Sequence, residues 1–410
     1  MPDREIAYDE MLSAMGRDLL PNAIRKLTTL LGRRDVISLA AGAPSAETFP
    51  LEELADIAAR VIRSRGQFVL QYGPTRGPQS LLEAIADMLK GRGIASAAPS
   101  RVVITSGSQQ GLDIASRLLI DPGDVAMVEL PSYIGGIIAL HNARAEMVGV
   151  RQDEGGIVIA DLREKIARLR KAGRRVKCVY TIPNFQNPSG VSLAIERREQ
   201  LVAAADEFDL LIVEDDPYFD LAFAEGVRPQ PLAALRPDRV IYLGSFSKVL
   251  APGLRAAYLC APEALASKAE LVKEGADLST SVLDQAIVLE ALRSGLIEKR
   301  LPELRRFYEV RCRAMLDALR RFAPAGARWT EPAGGFFILL ELAAGQDANA
   351  VLTQAIDAGV AYVPGQPFFV DGGGANTLRL AYSKETPEKL AEGIARLSRV
   401  LGGREHAGAV

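Results

Sequence analysis

Histidine is almost missing from this 410-residue sequence: there are two, His141 and His406. A His-rich zinc site or a Ser-His-Asp triad would have to be built on His141 alone, so both are disfavoured. Cysteine is also scarce. The three, Cys178, Cys260 and Cys312, are far apart and form no C-x-x-C, which suggests reduced buried thiols and a cytoplasmic protein. Neither charge sign is in excess, with 49 basic and 51 acidic side chains and a formal net charge of −2. This argues against a partner held by phosphate attraction, so no nucleic acid is expected, and against a polybasic membrane binder. No run approaches the ~18 uninterrupted apolar residues of a membrane span, and no signal-peptide hydrophobic region opens the chain. There is no Gly-Lys dipeptide, which excludes a P-loop.

What is present is ordinary for a globular protein, with 48% hydrophobic and 24% charged residues. The first ~35 residues read as helical, Ile24, Leu27, Leu30 and Leu31 forming a stripe. Short aliphatic runs then alternate with helical patterns. Val102–Thr105, Val125–Glu129, Val176–Thr181, Leu210–Glu214, Val240–Gly244 and Ala256–Cys260 are strand candidates. A helix is expected from Ser108 to about Leu119, and one long helical stretch over 284–322. The last ~80 residues switch to a smaller α+β pattern, with strands Phe336–Leu342 and Thr377–Ala381 and helices over 347–358 and 386–401. The alternation predicts an α/β fold with a mostly parallel, buried sheet flanked by helices, followed by a smaller α+β domain. The expected division is 1–50, an N-terminal segment packing with the small domain; 51–290, the large domain; and 291–410, the small domain.

Such sheets bind ligands outside the carboxyl ends of their strands, so the residues just after each strand matter most. After Val102–Thr105 comes Ser106-Gly-Ser-Gln-Gln-Gly111, a small-residue turn opening a helix. It suits a phosphate, or is plain capping. After Val240–Leu243 comes Gly244-Ser-Phe-Ser-Lys248, followed by Pro252-Gly-Leu-Arg255. Desolvation and a neighbouring cation would lower the Lys248 pKa and make its amine a nucleophile toward a carbonyl. Arg255, Ser245 and Ser247 could supply the cation and hold a phosphate dianion. Glu214-Asp-Asp-Pro-Tyr218 places acids at the end of a buried strand, for a paired cation, a metal or simple capping. The turn Pro183–Gly190 is a plain loop or a device that fixes Asn187.

One cofactor makes use of all of these. Pyridoxal phosphate needs an amine for its aldehyde, a carboxylate for its pyridine nitrogen, donors for its phenolic oxygen, an aromatic face and a phosphate cradle. Lys248, Asp215, Asn187 with Tyr218, Tyr133, and Ser108, Gln109 and Arg255 can fill those roles in turn. No metal is called for.

With these residues in place, the chain resembles the fold-type I pyridoxal-phosphate enzymes of the class I/II aminotransferase family over nearly its whole length. Ser245-x-Ser-Lys248 with Pro-Gly-Leu-Arg255, Asn187-Pro-Ser-Gly190 and Asp215-x-x-Tyr218 carry the likeness jointly. More narrowly it resembles the 2-aminoadipate (LysN-like) and kynurenine aminotransferase II group, through Ile37–Pro44, Gln71–Gly77, Thr105–Leu112 and Glu214–Tyr218. The resemblance implies a large domain with a seven-stranded sheet and a homodimer with shared active sites, Tyr72 reaching the partner's cofactor phosphate. It also implies that Arg379 grips the substrate α-carboxylate, that Gly42 lies beside it, and that Arg25 reaches the substrate side chain. The group usually has Gly-Gly where this chain has Ala41-Gly42, and Ala43 replaces a larger residue, so the substrate pocket is expected to differ. The implied reaction moves an amino group from an L-amino acid to a 2-oxo acid such as 2-oxoglutarate, with Lys248 carrying the Cα proton. The rivals are another reaction on the same scaffold (β-lyase, decarboxylase or oxidase) and a regulatory aminotransferase-like domain. The second is disfavoured, since only ~35 residues precede Ile37–Pro44, too few for a winged helix.

Overall fold

The structure, a computed structural model, describes residues 6, 8–20, 35–224 and 230–402. Arg25 and the Ile24–Leu31 stripe lie outside the described residues, as does His406. Within 8–20 there are two one-turn helices, Tyr8–Met11 and Ala14–Arg17.

In chain order a two-residue strand β1 (Ile37–Ser38) precedes the strands of the main sheet. These are β2 (Val102–Thr105), β3 (Val125–Leu130), β4 (Glu146–Asp153), β5 (Gly156–Ile157), β6 (Val176–Thr181), β7 (Leu211–Asp215), β8 (Val240–Ser245) and β9 (Ala257–Cys260). Their spatial order is β2-β9-β8-β7-β6-β3-β4-β5. The sheet therefore has eight strands rather than the expected seven. The extra one, β5, is a two-residue strand folded back antiparallel on β4. The sequence reading did not anticipate β4, whose half-exposed residues give no continuous aliphatic run.

The pairs β3–β4, β3–β6, β6–β7 and β7–β8 are parallel, and β9 runs antiparallel to both its neighbours. β2, β3 and β8 are rich in residues without measurable exposure, and every residue of β9 is buried, as expected of strands covered on both faces. The helix Ser108–Leu119 packs against β8 and β9 and against the helix Ile134–Asn142. The expected single helical stretch over 284–322 is two helices, Val282–Arg293 and Leu296–Phe322. Gly295, at φ 67°, breaks them, a left-handed conformation that glycine adopts without strain.

The C-terminal part forms a second, antiparallel sheet from β10 (Arg328–Trp329), β11 (Phe337–Glu341), β13 (Val363–Pro364) and β14 (Thr377–Ala381), in the order β10-β11-β14-β13. β1 pairs in parallel with β12 (Val360–Ala361), and the Ala381 amide donates to Leu39 O at 2.7 Å. The segment Ala40–Pro44 is thereby carried on the C-terminal part and crosses toward the large sheet. No helix among the described residues is long and apolar enough to cross a membrane.

Candidate active site

The chain's first strand crossover skips from β2 to β3 at the far side of the sheet. That leaves a crevice at the carboxyl edge, where open α/β sheets bind ligands. A cavity of about 510 Å³ lies there. Ser108 follows β2, Tyr133 follows β3, Asn187 follows β6, Asp215 ends β7, and Ser245, Ser247 and Lys248 end or follow β8. Because β9 runs antiparallel, its entrance is at the same edge, and Arg255 just before it joins the group. Ser108, Gln109, Tyr133, Asn187, Asp215, Tyr218, Ser245, Ser247, Lys248, Arg255, Gly42 and Arg379 all line this one cavity. Tyr72 does not; it is 80% exposed on the outer surface.

Lys248 is the amine of the site. Its Nζ lies 3.5 Å from Gly42 O and 6.0 Å from the centre of the Tyr218 ring. Burial, with the Arg379 guanidinium next in weight and Arg255 adding to it, pushes its pKa down to about 8; the Asp215 carboxylate opposes this. About a tenth is then the neutral, nucleophilic amine at pH 7, against under about a thousandth for an ordinary lysine.

Asp215 is 2% exposed. Tyr180 donates its hydroxyl to Oδ2 at 3.1 Å, and Oδ1 has no hydrogen-bond partner among the described residues. Burial raises its pKa to about 7, with Asp216 adding to the effect and Tyr180 and Lys248 countering it. The two flanking acids face elsewhere. Glu214 accepts from the Leu232 and Ala233 amides at 2.8 and 2.9 Å, and Asp216 from Asn184 Nδ2 at 2.8 Å and the Tyr242 hydroxyl at 3.1 Å. Of the three consecutive acids, only Asp215 lines the cavity.

Arg379, in the middle of β14, is 2% exposed. It donates through Nη1 to Asn187 Oδ1 at 3.0 Å and through Nη2 to Ala40 O at 2.7 Å, while Nε is unpartnered among the described residues. Its guanidinium stands 4.4 Å from the Phe337 ring centre. Burial pushes its pKa down to about 10, where it still carries full charge at neutral pH. Gly42 is required by close approach: a Cβ there would come 2.4 Å from Phe337 Cζ.

At the opposite end, Gly107 has φ 92° and caps the helix Ser108–Leu119. A side chain at Gly107 would strike Arg255 Nη2, which donates to Ser106 O at 3.0 Å. Ser108 and Gln109, the first two residues of that helix, share the cavity wall with Arg255, Ser245 and Ser247, and amides at a helix start together with these groups can form a cradle for a dianion. Gln109 Nε2 donates to Gly135 O at 2.8 Å, and Gly135 leaves room for both Gln109 and the Tyr133 ring.

Three contributors escaped the sequence reading. Tyr180 was seen only as a strand residue, although a tyrosine in a buried strand needs a partner for its hydroxyl. Phe337 was likewise only a strand residue. Glu129, 1% exposed, accepts from Thr181 Oγ1 at 2.8 Å, the Ile182 amide at 3.1 Å and Gln186 Nε2 at 3.2 Å, and so ties β3 to the loop that carries Asn187.

A buried amine, an unpartnered carboxylate oxygen, a buried arginine and a glycine-dependent anion cradle around one cavity fit pyridoxal phosphate with an amino acid beside it. Comparison with known proteins agrees. Residues 34–397 match the family model for aminotransferase class I and II, and the chain belongs to that family. It is 40% identical to a 2-aminoadipate transaminase of Thermus thermophilus over 98% of both chains. It is 39% identical to aromatic-amino-acid aminotransferase 1 of Thermococcus litoralis, over 96% of this chain and 94% of the relative. Among solved structures, the Pyrococcus horikoshii kynurenine aminotransferase in complex with PMP superposes with a TM-score of 0.93 at 38% identity, over 97% of this chain and 98% of that one. The protein is a pyridoxal-phosphate-dependent transaminase of fold type I.

Proposed function

We propose that this transaminase takes the amino group of an L-amino acid with an apolar or aromatic side chain and passes it, in two half-reactions, to 2-oxoglutarate. The observation that carries this reading is that Lys248, Asp215 and Arg379 open on one cavity whose remaining wall includes Ala41, Ala43, Ile134 and Phe337. When bound, pyridoxal phosphate supplies an electron-withdrawing ring that stabilises the electron pair left at the substrate's Cα. Asp215 holds the proton on the pyridine nitrogen. Asn187 and Tyr218 donate to the phenolic oxygen, and Tyr133 covers the ring face. Ser108, Gln109, Ser245, Ser247 and Arg255 bind the phosphate. Arg379 grips the α-carboxylate as a two-toothed fork, beside Gly42. Lys248 Nζ removes the proton from the substrate's Cα and is the base of both half-reactions.

We further infer a cytoplasmic homodimer in which the exposed Tyr72 of each protomer completes the partner's phosphate site, and a division at 1–50, 51–290 and 291–410. The three free, buried cysteines and the exposed apolar side chains of Phe68, Leu70 and Tyr72 support the location and the dimer. Arg25 remains a proposed contact to the substrate side chain. The deciding experiment is a panel of amino donors with 2-oxoglutarate, scored for glutamate. Aromatic and aliphatic donors are expected to lead aspartate. A preference for aspartate, or product without glutamate, would remove the donor or acceptor assignment.

A further inference from the structure

The phosphate cradle is a backbone turn, and a turn binds an anion well only if it is held in place before the anion arrives. What holds this one lies outside the cavity. The Ser106 amide donates to Gln110 Oε1 at 2.7 Å. Gln110 Nε2 donates to Asp277 Oδ2 at 2.8 Å, and Ser106 Oγ donates to the same oxygen at 3.1 Å. The other oxygen, Oδ1, accepts from Lys273 Nζ at 2.5 Å, and Lys273 is 0% exposed. Asp277 ends the helix Glu263–Asp277, and just beyond it Thr280 Oγ1 lies 3.1 Å from Ser106 Oγ. One carboxylate therefore clamps both ends of the Ser106–Gln110 turn to a distant helix. Its charge is balanced from behind by a buried ammonium, so that it does not oppose an anion bound in front.

We propose that Asp277, backed by Lys273, is a positioning residue for the cofactor's phosphate. It makes no contact with the cavity and acts by fixing Ser106 and Gln110, and through them the first amides of the helix Ser108–Leu119 and the Ser106 carbonyl that anchors Arg255. The inference rests on the reading that this turn and Arg255 bind the phosphate. It separates two kinds of effect. Loosening the clamp weakens the hold on the phosphate alone and leaves the pyridine ring's contacts, made by Asp215, Asn187 and Tyr218, intact.

The test is equilibrium binding of pyridoxal 5'-phosphate and of pyridoxal, which lacks the phosphate, to cofactor-free protein, read by the visible absorbance of the bound ligand. In Asp277→Asn the dissociation constant for the phosphorylated ligand is expected to rise about tenfold or more, the scale of one lost hydrogen bond to a charged group. That for pyridoxal stays within about twofold. Gln110→Leu removes Gln110's bonds to the Ser106 amide and to Asp277 while leaving the Ser106 Oγ–Asp277 bond and the Lys273–Asp277 pair in place. It is expected to do the same, and it decides the matter if Asp277→Asn does not fold. Equal weakening of both ligands, or no change in either, overturns the proposal. Arg255→Ala is the control for the underlying reading: it must lose the preference for the phosphorylated ligand. If it keeps that preference, the cradle assignment falls and the inference with it. If it loses the preference while Asp277→Asn and Gln110→Leu keep theirs, only the inference falls.

Discussion

Tyr180 donates its hydroxyl to Asp215 Oδ2 at 3.1 Å and thereby holds the carboxylate with its other oxygen, Oδ1, in a buried wall of the cavity and without a partner among the described residues. A buried carboxylate oxygen without a donor is costly, which is why burial brings Asp215 to about 7. A protonated ring nitrogen would meet both the charge and the missing donor. Asp215→Asn should keep the cofactor, since the phosphate, aldehyde and ring-face contacts remain. It should lose activity by about two orders of magnitude or more, because a neutral amide does not stabilise that proton. Tyr180→Phe should lose much less. Steady-state rates of glutamate formation, with cofactor content read by absorbance, check this; a fully active Asp215→Asn would end the assignment.

Lys248 leads to a prediction about pH. Its pKa, about 8 in the cofactor-free protein, lies below the ordinary 10.5 because burial and the Arg379 charge disfavour the ammonium. Only the neutral amine attacks an aldehyde. Uptake of pyridoxal phosphate, followed as growth of its bound absorbance band, should therefore speed up as pH rises and level off above about 8, rather than above about 10 as an exposed lysine would. Lys248→Ala should show neither the band nor turnover. Transamination by that variant at the normal rate would remove Lys248 from the mechanism.

Arg379 has its charge fixed between Asn187 Oδ1 and Ala40 O, with Phe337 against its face. A lysine keeps the charge but loses the fork geometry and the donor to Asn187. Arg379→Lys is expected to raise KM for amino donors by one to two orders of magnitude, roughly the loss of one charge-assisted bidentate contact. The cofactor's absorbance should change little. An unchanged KM would mean that the α-carboxylate binds elsewhere.

The strand-end residues were legible in the sequence because their chemistry is conspicuous next to aliphatic strands. A lysine among serines, three consecutive acids and a Pro-bracketed asparagine are poorly explained by packing alone, and the α/β alternation places them at one edge. Residues whose role depends on what lies across the fold were not legible. Phe337 matters because Gly42, 295 positions earlier, must pass within van der Waals reach of it. Tyr180 matters because β6 and β7 pair in the register that sets Tyr180 opposite Val213, two residues before Asp215. Nothing local to either residue encodes that. The strand β4 escaped for a related reason, since it lies next to the sheet's edge and its half-exposed pattern reads as neither buried strand nor helix.

Glu129 supplies the remaining prediction, one of stability. It is buried and accepts three hydrogen bonds, yet burial outweighs them and raises its pKa from 4.5 to about 7. The folded state therefore holds this proton more tightly than the unfolded state does. The stabilisation that goes with the proton is fully present below about 4.5 and is lost as pH rises through about 7. A glutamine does not titrate. In Glu129→Gln the exchange of one accepting oxygen for an NH₂ group beside Gln186 adds a fixed, pH-independent penalty. The stability of the unaltered protein relative to the variant should thus fall between pH 4.5 and 7, by a few kcal/mol at most, and stay level above. Thermal unfolding midpoints of the two cofactor-free proteins, compared at each pH, measure that difference. A difference that stays constant across this range would show that Glu129 is ionised throughout, held by Thr181, Ile182 and Gln186 as an ordinary carboxylate. The Asn187 loop would then be anchored by a fixed negative charge instead of a protonated acid.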